Sequence, residues 1–299
     1  MNQSVGNFLL QLSLSYEITG EGHVASDNRT TSNYSTLKMS RLNGKFALVT
    51  GGSQGIGFAC IKELLNNGIQ GVTLVDVNVS KGNESTALLK EEFGTERVIF
   101  IEGDVSKEDQ VEDAFEKSFN HWKHLDIVIN NAGVIAEQHW QKALLTNCGG
   151  TLQCSLTAFQ YLSTKRNGRG GVIVNVASIV AVHPYAITPV YSSTKSFIVM
   201  LGRCLGDSIY HDHNGVRVVT VCPGLTITDF ARNAGGLEAL KSLVPHSQTS
   251  YNDDRDWLKS QSSEECAKHL VRLMIEGTSG SVWTIVGNEV SQVDFSIRD

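Results

Sequence analysis

The chain runs to 299 residues, 41% of them hydrophobic, with a formal net charge of −6. That length and apolar content suffice for one large buried core or two small ones, and the acidic balance argues against nucleic acid as a partner. Six cysteines, at 60, 148, 154, 204, 222 and 266, stand singly with no C-x-x-C pair, which predicts reduced thiols in a cytoplasmic protein rather than a disulfide scaffold.

Residues 1–41 are rich in Ser, Thr, Asn and Gly, and their apolar residues keep no period. They are expected to form a flexible N-terminal extension. FLLQLSL near the start is short, interrupted by Gln11 and without a basic lead-in, so no secretory leader is expected. Asn28 and Asn33 open glycosylation sequons that matter only in a secreted protein. No apolar run reaches the length of a membrane span.

From Lys45 the pattern alternates. FALVT (46–50) is a short apolar run that ends in a glycine turn, with a helical stretch to about Asn67. VTLVD (72–76), VIFIEGDV (98–105) and LDIVIN (125–130) follow as strands, separated by helices over about 80–93 and 107–123. A long helical segment is expected from Glu137 to Thr164, then strand GVIVNVAS (171–178), then a helix through Tyr191 to about His211. VRVVTVCPG (216–224) is the sixth strand and SVWTIVG (281–287) the seventh. Between them come a short helix at 236–244 and a helix to Glu276 whose Ser262 and Glu265 form a capping box. Short apolar strands separated by helices predict right-handed βαβ units. The fold class is therefore α/β: a doubly wound, seven-stranded, mostly parallel sheet with helices on both faces, residues 42–299 making a single domain.

The chemistry concentrates at strand ends. Thr50-Gly-Gly-Ser-Gln-Gly-Ile-Gly57 closes the first strand and opens a helix. Residues without a β-carbon there let backbone amides approach a pyrophosphate at a helix N-terminus, which makes Gly51, Ser53, Gln54, Gly55, Ile56 and Gly57 candidate cofactor contacts. Asp76 ends the second strand, where a carboxylate accepts hydrogen bonds from a ribose and repels a 2′-phosphate. No Lys or Arg lies between Thr50 and Gly57, so NAD is expected over NADP.

Tyr191 and Lys195 sit at i,i+4 spacing, on one face if the segment is helical. A fixed cation there favours the phenolate, and an acidified tyrosine can act as an acid–base group. Tyr-x-x-x-Lys recurs at Tyr34–Lys38, inside the extension, and at Tyr161–Lys165, before the fifth strand, with no serine 13 residues upstream. Only the pair at Tyr191 has such a serine, Ser178. His211-Asp-His213 lacks a third ligand at a recognisable spacing, so no metal is expected.

Thr50–Gly57, Asn130-Asn-Ala-Gly133, Ser178, Tyr191-x-x-x-Lys195 and Pro223-Gly224 stand in the order and spacing of the short-chain dehydrogenase/reductase family, which the chain resembles over about residues 42 to 290. NNAGVIAEQHWQKALLTN, GGVIVNVAS and PVYSSTK are most similar to the branch of NAD-dependent 15-hydroxyprostaglandin dehydrogenases and insect-type alcohol dehydrogenases. Met39-Ser-Arg-Leu-Asn-Gly-Lys resembles the usual start of such chains, so 1–38 reads as an addition.

The resemblance implies a Rossmann-type fold and four catalytic roles. Ser178 would hold the substrate oxygen, and Tyr191 would exchange its proton. Lys195 would bind the nicotinamide ribose and lower the Tyr191 pKa, and Asn147 would anchor a proton-relay water. It also implies adenine contacts at Asp104 and Val105, contacts after the fourth strand at Asn131, Ala132 and Gly133, and nicotinamide contacts at Pro223, Gly224 and Thr228. The implied activity interconverts a secondary alcohol and a ketone, in a homodimer or homotetramer. Val180 to Thr188, Glu137 to Trp140 and Leu225 to Trp257 are expected to line an apolar substrate pocket. The prostaglandin enzymes carry glutamines before Pro-Val-Tyr where Ile187 and Thr188 stand, which leaves isoprenoid, steroid and small aliphatic alcohols open. The alternatives are an NADPH-using carbonyl reductase and a catalytically idle binding or storage protein.

Overall fold

The apolar run Phe46–Thr50 forms β1, and its side chains alternate between two cores, as a strand buried on both faces requires. Ala47 and Val49 pack with Leu64, Leu65, Leu270 and Met274 on one face. Leu48 packs with Phe115, Ala158 and Leu162 on the other. The structure is a computed structural model that describes residues 42–232 and 259–295, the last two before the gap by backbone alone. The chain divides into residues 1–37, outside the described residues, and one compact unit, residues 38–299. The expected extension over 1–41, the helix at 236–244 and the Tyr34–Lys38 pair also lie outside the described residues.

After β1 come α1 (Gly55–Asn66), β2 (Gly71–Asp76), α2 (Val79–Phe93), β3 (Val98–Glu102), α3 (Glu108–Trp122) and β4 (Ile127–Asn130). A short α4 (Trp140–Ala143), a π-helical segment (Leu144–Gly150) and α5 (Thr151–Leu162) lead to β5 (Gly171–Val176). Then follow α6 (Pro189–Leu205), α7 (Ser208–Asn214), β6 (Val216–Pro223), α8 (Asp229–Arg232), α9 (Ser263–Glu276), β7 (Val282–Val286) and β8 (Glu289–Gln292). The sheet order is β3-β2-β1-β4-β5-β6-β7-β8. All neighbours are parallel except β7 and β8. β1 lies between β2 and β4, so the chain reverses its direction of travel across the sheet at that point. A crevice opens beyond the carboxyl ends of strands at such a reversal.

The structure departs from the sequence reading at four places. The sheet has eight strands rather than seven, because Gly287 (φ 55°) and Asn288 (φ 70°) make a two-residue turn that folds β8 antiparallel onto β7. The single helix expected to run from Tyr191 to His211 stops at Leu205, and Asp207 starts α7 by accepting from the Ile209 amide at 3.0 Å. The segment 137–164 opens with a non-helical stretch and then passes through the π-helical segment. At α9, Ser262 accepts from the Glu265 amide at 3.1 Å, whereas the Glu265 carboxylate pairs with Lys268. Only half of the expected capping box forms.

The opposite end of the sheet is tied by Asp126, a carboxylate only 1% exposed. It accepts from Lys45 Nζ at 3.0 Å, the Phe46 amide at 3.0 Å and Arg169 Nη2 at 2.6 Å. These bonds hold the entrances of β1, β4 and β5 together.

Candidate active site

The turn after β1 carries Gly51 at φ 62° and Gly55 at φ 56°, a region that L side chains rarely adopt. A Cβ on Gly57 would lie 2.2 Å from the Gly51 carbonyl oxygen, so this position is closed to any other residue. Asn131 locks the turn from the loop after β4: its Nδ2 donates to the Thr50 carbonyl at 3.0 Å and the Gly51 carbonyl at 2.9 Å. Thr50 Oγ1 accepts from the Asn131 and Ala132 amides, each at 3.1 Å.

Asp76 closes the next strand. Its Oδ2 accepts from the Ser53 amide at 3.1 Å and the Ser53 hydroxyl at 2.6 Å, and its Oδ1 accepts from the Asn78 amide at 2.9 Å. The carboxylate is thus fixed before any ligand arrives. Asp104 turns its own loop, with Oδ1 accepting from the amide and hydroxyl of Ser106 at 2.9 and 2.7 Å.

Pro189 starts α6 at a position whose missing N–H costs the helix nothing. One turn on, Tyr191 and Lys195 share a face, with the ammonium 5.6 Å from the Tyr191 ring centroid. The Ser178 side chain lies close enough to the Tyr191 phenol to favour its ionisation, and Lys195 Nζ donates to the Val176 carbonyl at 2.9 Å. Asn147 is fully buried in the π segment. Its Oδ1 accepts from the Val134 amide at 2.8 Å, and its Nδ2 donates to the Val134 carbonyl and Thr194 Oγ1, both at 2.9 Å.

The titration behaviour departs from the expectation. Burial pushes the Tyr191 phenol up, and the Ser178 hydrogen bond only partly opposes this. Burial brings Lys195 down to about 8. The phenolate is disfavoured because a buried ring loses the solvation of its charge, while the Lys195 ammonium is engaged by the Val176 carbonyl. In the chain alone, burial rather than Lys195 governs the Tyr191 phenol.

Most of these groups border one cavity of about 1290 Å³. It is larger than the ~300–1,000 Å³ typical of a drug-sized ligand, so a dinucleotide and a second molecule are compatible with its size. One end is polar, built from Gly51, Gln54, Gly55, Ile56, Asp76, Asp104 and Val105. Asn131, Ala132, Gly133, Ser178, Tyr191 and Lys195 form the middle, facing Pro223, Gly224 and Thr228. The far end is mostly apolar, with Ile135, Val180, Tyr185, Ile187, Leu225 and Ile227.

Three expected site residues do not line the cavity. Ser53 faces Asp76, Gly57 is packed under Gly51, and Asn147 lies behind Val134. Glu137 to Trp140 do not line it either. Glu137 instead accepts from the Val190 and Tyr191 amides at 3.0 and 2.8 Å. From 231 to 258 the side chains lie outside the described residues, so the expected wall is seen only as far as Phe230. Sequence reasoning missed Ile135 and the capping role of Glu137. An apolar residue two positions after Gly133 was the available signal for the first. The rival pair separates: Tyr161 in α5 packs at a tilt against Phe115 and Phe119 of α3, while Lys165 lies beyond the end of α5.

The glycine cradle and the fixed Asp76 acceptor beside it fit a bound dinucleotide. The short chain dehydrogenase family model matches residues 45–237, and the chain belongs to that family of oxidoreductases. It is 38% identical over 187 residues to 15-hydroxyprostaglandin dehydrogenase (NAD+) of Homo sapiens, covering 62% of this chain and 70% of the relative. It is 29% identical over 242 residues to alcohol dehydrogenase 1 of Ceratitis capitata, covering 81% and 91%. The crystal structure of levodione reductase superposes with a TM-score of 0.70 at 22% identity, covering 83% of this chain and 98% of that one, a likeness in fold.

Proposed function

We propose that this chain is an NAD-dependent dehydrogenase that interconverts an apolar secondary alcohol and its ketone, with Tyr191 as the proton-transfer group. The observation that carries this reading is that Tyr191, Ser178 and Lys195 line one cavity together, with the Ser178 side chain acting on the phenol and the Lys195 ammonium 5.6 Å from the Tyr191 ring centroid. Bound NAD supplies the hydride acceptor for oxidation and, once reduced, the donor for the reverse reaction. The chain's own residues do the rest. Gly51, Gln54, Gly55 and Ile56 present backbone to the pyrophosphate, with Ser53 and Gly57 supporting the turn from behind. Asp76 receives the adenosine ribose hydroxyls and repels a 2′-phosphate. Asp104 and Val105 border the adenine, and Asn131, Ala132 and Gly133 border the nicotinamide side with Pro223, Gly224 and Thr228.

Ser178 holds the substrate oxygen. Tyr191 takes the hydroxyl proton in oxidation and returns it in reduction. Lys195 steadies the nicotinamide ribose and places positive charge near the phenol. Asn147 fixes Val134 and, through Thr194, the α6 face that carries both groups. Fixed donors at the substrate oxygen stabilise the charge that develops there. The mainly apolar far wall supports an isoprenoid-, steroid- or lipid-like substrate.

We read residues 42–299 as one dehydrogenase domain, working in the cytoplasm with all six thiols free. Among the described residues no helix is long and apolar enough to cross a membrane. Exposed Leu144, Leu145 and Leu156, with Phe197 and Met200 on α6, support a contact with a second copy, and hence a homodimer or homotetramer. The test is an absorbance screen for NADH formation over secondary alcohols of graded size. Oxidation of at least one bulky apolar alcohol is expected with NAD. Cofactor binding without turnover across the whole panel would sink the proposal.

A further inference from the structure

The helix that carries Tyr191 and Lys195 does not cap itself. Its N-cap residue Thr188 makes no capping bond, and the buried Thr188 Oγ1 has no hydrogen-bond partner. Pro189 contributes no N–H. The next two amides, of Val190 and of Tyr191 itself, donate to Glu137, at 3.0 Å to Oε2 and 2.8 Å to Oε1. One carboxylate thus satisfies two orphan donors of the first turn, with its charge at the positive end of the helix.

Glu137 is not part of α6. It lies in the loop that leaves β4, whose other bonds are equally fixed. Asn131 is bonded to the glycine turn, and Val134 is held through both its amide and its carbonyl by Asn147. That loop borders the cavity at Asn131, Ala132, Gly133 and Ile135. The Glu137 carboxylate therefore links the loop after β4, which borders the cavity, to the backbone nitrogen of Tyr191. A bond to N–H groups at two successive positions fixes both the rotation of the first turn and its height along the helix axis. The position of the Tyr191 hydroxyl follows from both.

We propose that Glu137 is a positioning residue for Tyr191, setting the register of the phenol against the loop that borders the cofactor. The proposal rests on the reading of Tyr191 as the proton-transfer group. Misplacing a reacting group by about 1 Å can cost roughly 100-fold in rate, so a carboxylate that sets helix register reaches the chemistry without touching substrate.

The test uses the full chain and an alcohol that the wild type oxidises. Glu137→Gln keeps one acceptor oxygen and turns an amide NH2 toward the other N–H. Expected are a fall in kcat/KM of about tenfold or more, NADH affinity within about twofold of wild type, and a larger deuterium isotope effect on kcat/KM as the chemical step becomes limiting. A merely stabilising cap would lower the melting temperature and leave that isotope effect unchanged. Folded Glu137→Gln with wild-type kcat/KM overturns the proposal, and so does a loss matched by an equal loss of NADH affinity. If that variant does not fold, Glu137→Asp carries the test alone. Its stem, one methylene shorter, reaches only one amide, so a several-fold loss at unchanged NADH affinity is expected and full activity contradicts the proposal. A wild type that oxidises no alcohol refutes the enzyme reading itself. An active wild type with indifferent variants refutes only the role of Glu137.

Discussion

Burial favours the neutral form of Tyr191, and on the role proposed for this residue that gives the reaction a direction with pH. On that proposal, oxidation needs the phenolate as proton acceptor, whereas reduction needs the phenol as donor. With the pKa raised, the phenol dominates through neutral pH and the phenolate fraction grows only as the medium becomes alkaline. The expected profile of kcat/KM rises with pH for alcohol oxidation and stays level for ketone reduction over roughly pH 6 to 8. Oxidation that is flat from neutral to alkaline pH would contradict this. At Asp76 the expectation concerns cofactor choice. Asp76→Asn removes the charge that repels a 2′-phosphate and weakens the hold on Ser53. The preference for NAD over NADP, measured as a ratio of kcat/KM values, is expected to shrink by at least about tenfold. At this scale the sequence was informative where chemistry demands side chains at fixed spacing, as with Ser178, Tyr191 and Lys195. It was silent on the capping bonds of Glu137, because the partners are backbone amides 53 and 54 positions away and an amide carries no residue signature.

The elements show a different division of labour between the two ends of the sheet. The carboxyl ends of the strands carry the site, while Asp126 gathers the opposite ends of β1, β4 and β5. Replacing it by Asn strands two cations, but Lys45 and Arg169 are each 38% exposed and can regain water. A loss of about 2 kcal/mol is expected, below the ~3–5 kcal/mol typical when a fully buried pair is broken. Urea denaturation measures it, and NADH affinity is expected to stay unchanged. A second expectation concerns α6, whose face opposite the core exposes Phe197 and Met200. Charging both as Phe197→Glu and Met200→Glu is expected to shift the protein to monomers in light scattering. An unaltered mass would place any subunit contact elsewhere. Most strands were legible as apolar runs because a parallel strand is buried on both sides. β8 was not, since its residues are largely solvent-facing and its only marker was the Gly287-Asn288 turn. The π-helical segment had no period of its own to betray it.

Across the whole molecule, the reversal of strand order between β1 and β4 explains why motifs scattered from residue 50 to residue 228 meet in one cavity. Family membership was legible for the same reason: every motif but Tyr191-x-x-x-Lys195, which lies on α6, marks the carboxyl end of a strand, and order along the chain maps onto position around the crevice. The substrate end was less legible, because its walls share only an apolar character that core residues share too. The account stands on Tyr191, and its most direct test measures two quantities on one preparation of Tyr191→Phe. These are NADH affinity and turnover of an alcohol that the wild type oxidises. The account predicts affinity within about twofold of wild type and turnover lowered by at least about 100-fold. A variant that binds NADH and oxidises the alcohol at the wild-type rate would contradict it.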